Sequence, residues 1–108
     1  MATYGTRNQA LDAPFAKSKY SQMRLVIERK ATKALTRMPP KVVAAMRANL
    51  EEIAARPFAR HPNVERLKGF RDIFRLRHGD WRAVYRVDRG AGIMFVERIA
   101  PRGKVYKR

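Results

Sequence analysis

A chain of 108 residues suits one compact domain, and 45% apolar with 31% charged residues is a globular rather than a disordered composition. Its 25 Lys and Arg against 9 Asp and Glu give a net charge of +16, far more than solubility requires, so a polyanionic partner is expected, nucleic acid foremost. The lack of cysteine excludes a disulfide framework, a thiolate metal site and a cysteine nucleophile.

Residues 1–22 are polar and carry neither a helical nor a strand period, which predicts a flexible N-terminal extension. They also lack the charged and apolar regions of a signal peptide, and no run of about 18 apolar residues follows, so no membrane partner and a cytoplasmic location are expected. From Met23 the texture changes, and residues 23–108 are expected to form the folded domain. Arg24-Leu25-Val26-Ile27-Glu28 is a short β-prone run. Ala31, Ala34, Leu35 and Met38 then recur at helical spacing, until Pro39-Pro40 ends the helix. Pro40 suits the first position of a second helix, whose stripe is Val43, Met46, Leu50 and Ile53. Arg56-Pro57 closes this helical hairpin, and His61-Pro62-Asn63 reads as an irregular connection.

After Gly69 the period becomes two. Phe74 and Leu76 share one face of a strand while Arg75 and Arg77 share the other. His78-Gly79-Asp80 supplies a turn and Trp81 to Asp88 the returning strand, with Ala83, Tyr85 and Val87 alternating with Arg82, Val84 and Arg86. Arg89-Gly90-Ala91-Gly92 turns the chain again into a third, largely apolar strand from Ile93 to Ile99. The expected fold is α+β: an N-terminal strand, a helical hairpin, then an antiparallel β-meander with both helices on one sheet face and arginines on the other.

Leu67-Lys68-Gly69, the hairpin from Arg75 through Gly79-Asp80-Trp81-Arg82 to Val87, and the closing Pro101-Arg102-Gly103-Lys104-Val105-Tyr106 resemble the RelE branch of the RelE/ParE toxin superfamily. The resemblance covers residues 23–108. It implies a RelE-like fold and a toxin of a type II toxin–antitoxin system, a ribosome-dependent, metal-independent endoribonuclease acting on messenger RNA. Its partners would be the ribosome, the message and a cognate antitoxin. By the same resemblance Arg82 matches the arginine after the turn aromatic and Arg75 a position often held by lysine. Arg102 matches the arginine before the Val-Tyr pair and Tyr106 the tyrosine itself. These four are the candidate catalytic residues; Arg77, Arg86, Lys68 and Lys104 are the candidate RNA-binding ones. The sequence departs from some members at Ile73, where they carry a basic residue two positions before Arg75.

Elementary chemistry agrees with this set. Cleavage through the RNA's own 2′-OH needs a base for that proton, cations for the phosphorane and an acid for the leaving 5′-oxygen. Surrounding cations would favour a Tyr106 phenolate as base, while Arg82 and Arg102 offer fork-shaped donors that lysine cannot imitate. An arginine is a poor acid, so Arg82 in that role rests on the resemblance alone. His61 and His78 lie far apart with no accompanying carboxylate cluster, so no metal and no cofactor is expected. Blander roles stand beside these: the arginines as a solvated sheet face, Tyr106 and Trp81 as packing residues, His78 as an exposed turn residue near the arginines, and Met23, Met38 and Met46 as core. Two other functions share the fold or the charge, a ParE-like inhibitor of DNA gyrase and a non-catalytic RNA- or ribosome-binding protein.

Binding to RNA should weaken steeply between about 50 and 200 mM salt if several phosphates are neutralised by exposed Arg and Lys. Titration across ionic strength checks this; a flat response would separate the charge from the binding surface.

Overall fold

A computed structural model describes residues 22–102, so the expected extension, apart from Gln22, and the C-terminal Lys104 and Tyr106 lie outside the described residues. The elements are β1 (Arg24–Ile27), α1 (Arg29–Leu35), α2 (Pro40–Ala55), β2 (Val64–Arg66), β3 (Ile73–His78), β4 (Trp81–Asp88) and β5 (Ile93–Pro101). They form one five-stranded sheet in the order β1-β5-β4-β3-β2, antiparallel except that β1 runs parallel to β5. The α+β class, the hairpin and the meander are as expected. A parallel pair needs a long connection, and here everything from α1 to β4 lies between β1 and its partner β5.

Alternation decides which face is covered. Leu76, Ala83 and Ile99 are neighbours across β3, β4 and β5, as are Phe74, Tyr85 and Val96. The helices cover this face with Ala31, Met46, Leu50, Ile53 and Ala54, joined by Met38 from the turn between them, all in one buried cluster with Leu76, Ala83, Tyr85, Val87, Met94, Val96 and Ile99. The methionines 23, 38 and 46 are indeed core. Met23 is also pinned by its backbone, its N–H donating to the Ala54 carbonyl at 2.7 Å, which ties the start of β1 to the end of α2. The stripe of α2 is legible because its residues recur every three or four positions, and Pro40 starts the helix without losing a needed N–H. The first helix is shorter than its apolar period suggests. It ends at Leu35, and Met38 reaches the core from the following turn, where Thr36 Oγ1 donates to the Lys33 carbonyl at 2.6 Å.

Strand β2 was not expected. Only three residues long, it lies in the stretch expected to be an irregular connection, and it forms because its partner β3 is already fixed by β4, not because of any period of its own. Asn63 enters it at φ 64°, a left-handed conformation that asparagine tolerates.

The loop from β2 to β3 is clamped at its end. Asp72, at φ 61°, accepts the Val87 N–H on its carbonyl at 2.9 Å while its carboxylate accepts two bonds from Arg89, each 2.9 Å. Arg89 also lies 4.3 Å from the centre of the Phe58 ring, so one guanidinium joins the β4–β5 turn, the β2–β3 loop and the segment after α2. The Arg89 hydrogen bonds hold the Asp72 carboxyl below its ordinary range against the opposing effect of burial, with further help from the charges of Arg89, Arg71 and Arg66. A depressed carboxyl pKa contributes stability above its unfolded value, and that contribution is lost as pH falls through the folded value. Asp72→Asn, which keeps the left-handed tolerance, should therefore lower Tm at neutral pH, and the gap should close below about pH 4. Thermal unfolding across that range checks it; a gap independent of pH would remove the ion pair as its cause.

Candidate active site

Strands β3 and β4 place Arg75, Arg77 and Arg82 on the sheet face away from the helices. Arg75 is level with Val84, and Arg77 lies directly opposite Arg82. Together with Asn63, Val64 and Glu65 of the β2 region they line a hollow of about 140 Å³. Three guanidinium groups against one carboxylate give its lining an excess of positive charge. On the same face Ile73 and Val84 form a small buried apolar cluster, with Leu67 and Ala100 packed against them. Ile73, where some family members carry a basic residue, belongs to this apolar cluster.

Arg82 is the buried member, only 7% exposed. Its Nη1 donates to the Gly79 carbonyl at 2.8 Å and the Trp81 carbonyl at 3.0 Å, so the β3–β4 turn holds one edge of the guanidinium. Gly79 adopts φ 59°, a conformation glycine permits at little cost, and this is what lets so short a turn form. Nε and Nη2 remain as donors toward a ligand in the hollow. Arg75 donates to Glu65 Oε2 at 2.7 Å, and Arg77 to Asn63 Oδ1 at 3.1 Å. A guanidinium so braced loses little rotamer freedom when it binds phosphate.

Arg102 arrives at the same end of the sheet. Its backbone N–H donates to the Asp80 carbonyl at 2.7 Å, sewing the end of β5 to the turn that anchors Arg82, and its side chain is exposed. Lys68 is exposed in the β2–β3 connection and does not line the hollow. Arg86 lies apart, about 13 Å along β4 from Arg82 by strand rise. Its Nε donates to Glu97 at 3.0 Å, Glu28 lies 4.0 Å from its Nη2, and its guanidinium sits 4.4 Å from the centre of the Phe95 ring. Opposite charge and an aromatic face already engage it.

His78 is on the other face, its Nδ1 3.4 Å from Asn49 Nδ2 of α2, so the expected nearness to the arginines does not hold. Its position alternates with Arg77 and shares the side of Leu76. Tyr85, fully buried and stacked on Phe74 with ring centres 5.2 Å apart, has its phenol pKa pushed up by burial and is a core residue. Asn63, Glu65 and Arg98 escaped the sequence reading; the signal that could have found Glu65 is a lone carboxylate among cations just before Leu67-Lys68-Gly69. Among the described residues no three His, Asp or Glu side chains converge as metal ligands.

The sequence pattern of a family described as ParE toxin of type II toxin-antitoxin system, parDE, matches residues 25–106. The chain belongs to the RelE/ParE superfamily of type II toxins. Solved structures agree on the fold. The RelE–RelB complex from Pyrococcus horikoshii matches with TM-score 0.67 at 25% identity, over 78% of this chain and 99% of that one. The intact Escherichia coli RelBE toxin–antitoxin complex matches with TM-score 0.63 at 23% identity, over 76% and 98%. A YoeB/ParE toxin from Agrobacterium tumefaciens gives 0.62 at 23%, over 73% and 98%. No curated protein sequence matches the chain. Among the described residues no helix is long and apolar enough to cross a membrane.

Hydrogen bonds to a charged group contribute about 1.5–3 kcal/mol, and Arg82 makes two to backbone carbonyls. Arg82→Met, which keeps the stem but removes the donors, should destabilise this toxin by an amount in that range. Urea unfolding measures it, and an unchanged midpoint would mean that the turn does not hold the guanidinium.

Proposed function

We propose that this toxin cleaves messenger RNA on the ribosome, without a metal, by directing the RNA's own 2′-OH against the adjacent phosphate. A 2′,3′-cyclic phosphate forms as the bond to the 5′-oxygen breaks, and that oxygen takes a proton from water. The observation that carries this reading is the hollow in which Arg75, Arg77 and a turn-anchored Arg82 converge on the open sheet face. Such a site stabilises charge that develops on a phosphorane, because its donors are set before the reaction begins. Arg82 holds a non-bridging oxygen through Nε and Nη2, Arg75 supplies a second cation, and Arg102 approaches from the end of β5. Tyr106, four residues further on, is the base that takes the 2′-OH proton, its phenolate favoured by these charges. Arg77, Arg86, Lys68 and Lys104 hold the flanking sugar–phosphate backbone, Arg86 by exchanging a carboxylate for a phosphate.

In this reading residues 23–108 are the toxin domain and residues 1–22 an accessory extension. The protein acts in the cytoplasm, where a cognate antitoxin neutralises it. Neighbours of the same fold have been solved in complexes with RelB, which supports such a partner. The ParE description of the matching family favours a second reading, inhibition of DNA gyrase without RNA cleavage. Primer extension on a translated message, run beside a gyrase supercoiling assay, separates the two; binding to ribosomes with neither effect would leave a non-catalytic RNA-binding protein.

Groups that act mainly in the transition state lower rate more than affinity when removed. Tyr106→Phe should cut the cleavage rate by about 10²–10⁴ with ribosome association nearly intact. Arg102→Lys, which keeps charge but loses the fork, should also be substantially impaired. EDTA should have no effect where ribosomes are kept intact. Full cleavage by both variants would sink the mechanism, and loss of cleavage in EDTA would replace it with a metal-assisted one.

A further inference from the structure

The loop between β2 and β3 carries an aromatic ring on a fixed support. Its base is closed by the Leu67 N–H, which donates to the Ile73 carbonyl at 2.8 Å. Within it the Phe70 N–H donates to the Leu67 carbonyl at 3.2 Å, across a turn centred on Lys68 and Gly69, the glycine at φ 84°. Its far end is Asp72, clamped to Val87 and Arg89. Leu67 packs with Ile73 and Val84 on the open sheet face, so the loop is rooted on the side that holds the arginine hollow. Glu65, which lines that hollow, lies five residues before Phe70, and the two Cα atoms are therefore within about 17 Å of each other.

Folding gains little from the part of an aromatic ring that stays in water. Phe58 and Phe70 are the exposed large apolar side chains among the described residues. The Phe58 ring lies against Arg89 and belongs to the clamp. Phe70, 46% exposed, stands in a run of exposed residues from Lys68 to Arg71. Lys68 and Arg71 make no ion pair with a described residue, and the acid of the loop, Asp72, is bonded to Arg89. The surface around the ring is therefore cationic.

We propose that Phe70 is a base-stacking residue, which takes an unpaired nucleobase of the message near the cleaved phosphate while Lys68 and Arg71 meet the adjoining phosphates. Every nucleobase offers a π face to such a ring, and a loop already closed at its base loses little freedom when the nucleobase arrives. A protein partner fits less well, because the centre of a protein interface is depleted in charge and this ring is flanked by two cations. The contact carries no catalytic group. It sets which stretch of single strand crosses the arginine hollow. That the RNA is the message rests on the cleavage reading; the stacking itself does not.

The test titrates the full chain into a 2′-O-methyl RNA of about eight nucleotides, which cannot be cut through its 2′-oxygen, with 2-aminopurine placed at each position in turn. Stacking quenches this base analogue. Saturable binding is expected, with quenching confined to the position over the ring. Phe70→Leu, apolar but without a π face, should lose that quenching and bind about fivefold to a hundredfold more weakly, while Phe70→Tyr keeps both. An abasic nucleotide at the same position should weaken the parent protein by a similar factor and Phe70→Leu hardly at all. Lys68→Gln/Arg71→Gln should lower the slope of log affinity against log salt by about 1.4. Circular dichroism verifies that the variants fold, and the abasic comparison on the parent chain needs no variant. Quenching unchanged in Phe70→Leu, or equal weakening of that variant on intact and abasic RNA, would overturn the proposal. So would the absence of saturable binding, which would give the ring to a protein partner instead. Cleavage with a flat response to Phe70→Leu removes this proposal alone, and position-specific quenching by a chain that cuts no message removes only the nuclease reading.

Discussion

One-sided burial governs the rest of this structure. Two helices can cover only one face of a five-stranded sheet, and the stripe Met46, Leu50 and Ile53 meets Leu76, Ala83, Tyr85 and Val96 there. Each strand must then turn its alternate residues to the open face. Arg75, Arg77, Arg82 and Arg86 stand there because the core has claimed their neighbours. Sliding β3 by one residue would put arginines against α2, so the register of the hairpin and the position of the cationic face are the same constraint.

An arginine-rich face by itself is only a solvated surface. What sets part of it apart is a set of local contacts that hold guanidinium groups in place: the β3–β4 turn on Arg82, Glu65 on Arg75, Asn63 on Arg77. Two of these braces come from the β2 region, whose strand exists only by pairing with β3. The Asp72–Arg89 clamp holds the loop that joins them. Arg86 differs in its braces, which are the carboxylates of Glu97 and Glu28 and the Phe95 ring, so an anion would have to displace a carboxylate to reach it.

The family description and the fold point to the same superfamily while leaving two chemistries within it, and a shared fold does not choose between them. The arrangement of donors does bear on the choice. Under the proposed nuclease function the hollow of about 140 Å³, lined by three guanidinium groups, would take one phosphate, whereas association with a protein calls for a broader surface with an apolar centre.

The sequence alone determined the α2 stripe, the Trp81–Asp88 strand and its arginine face, because periods of 3.6 and two report burial residue by residue. Its resemblance to the toxin family also nominated Arg75 and Arg82, on the two strands joined by the Gly-Asp turn. Pairing was beyond it, since the parallel partnership of β1 with β5 joins residues about seventy positions apart and no local period records it. For the same reason β2 was invisible: Val64, Glu65 and Arg66 are strand only because β3 is beside them. Only the tertiary structure turned His78 toward Asn49 and away from the arginines, and gave Glu65 to Arg75. Alternation tells which face a side chain takes, but its partner is decided by whichever element folding brings to that face.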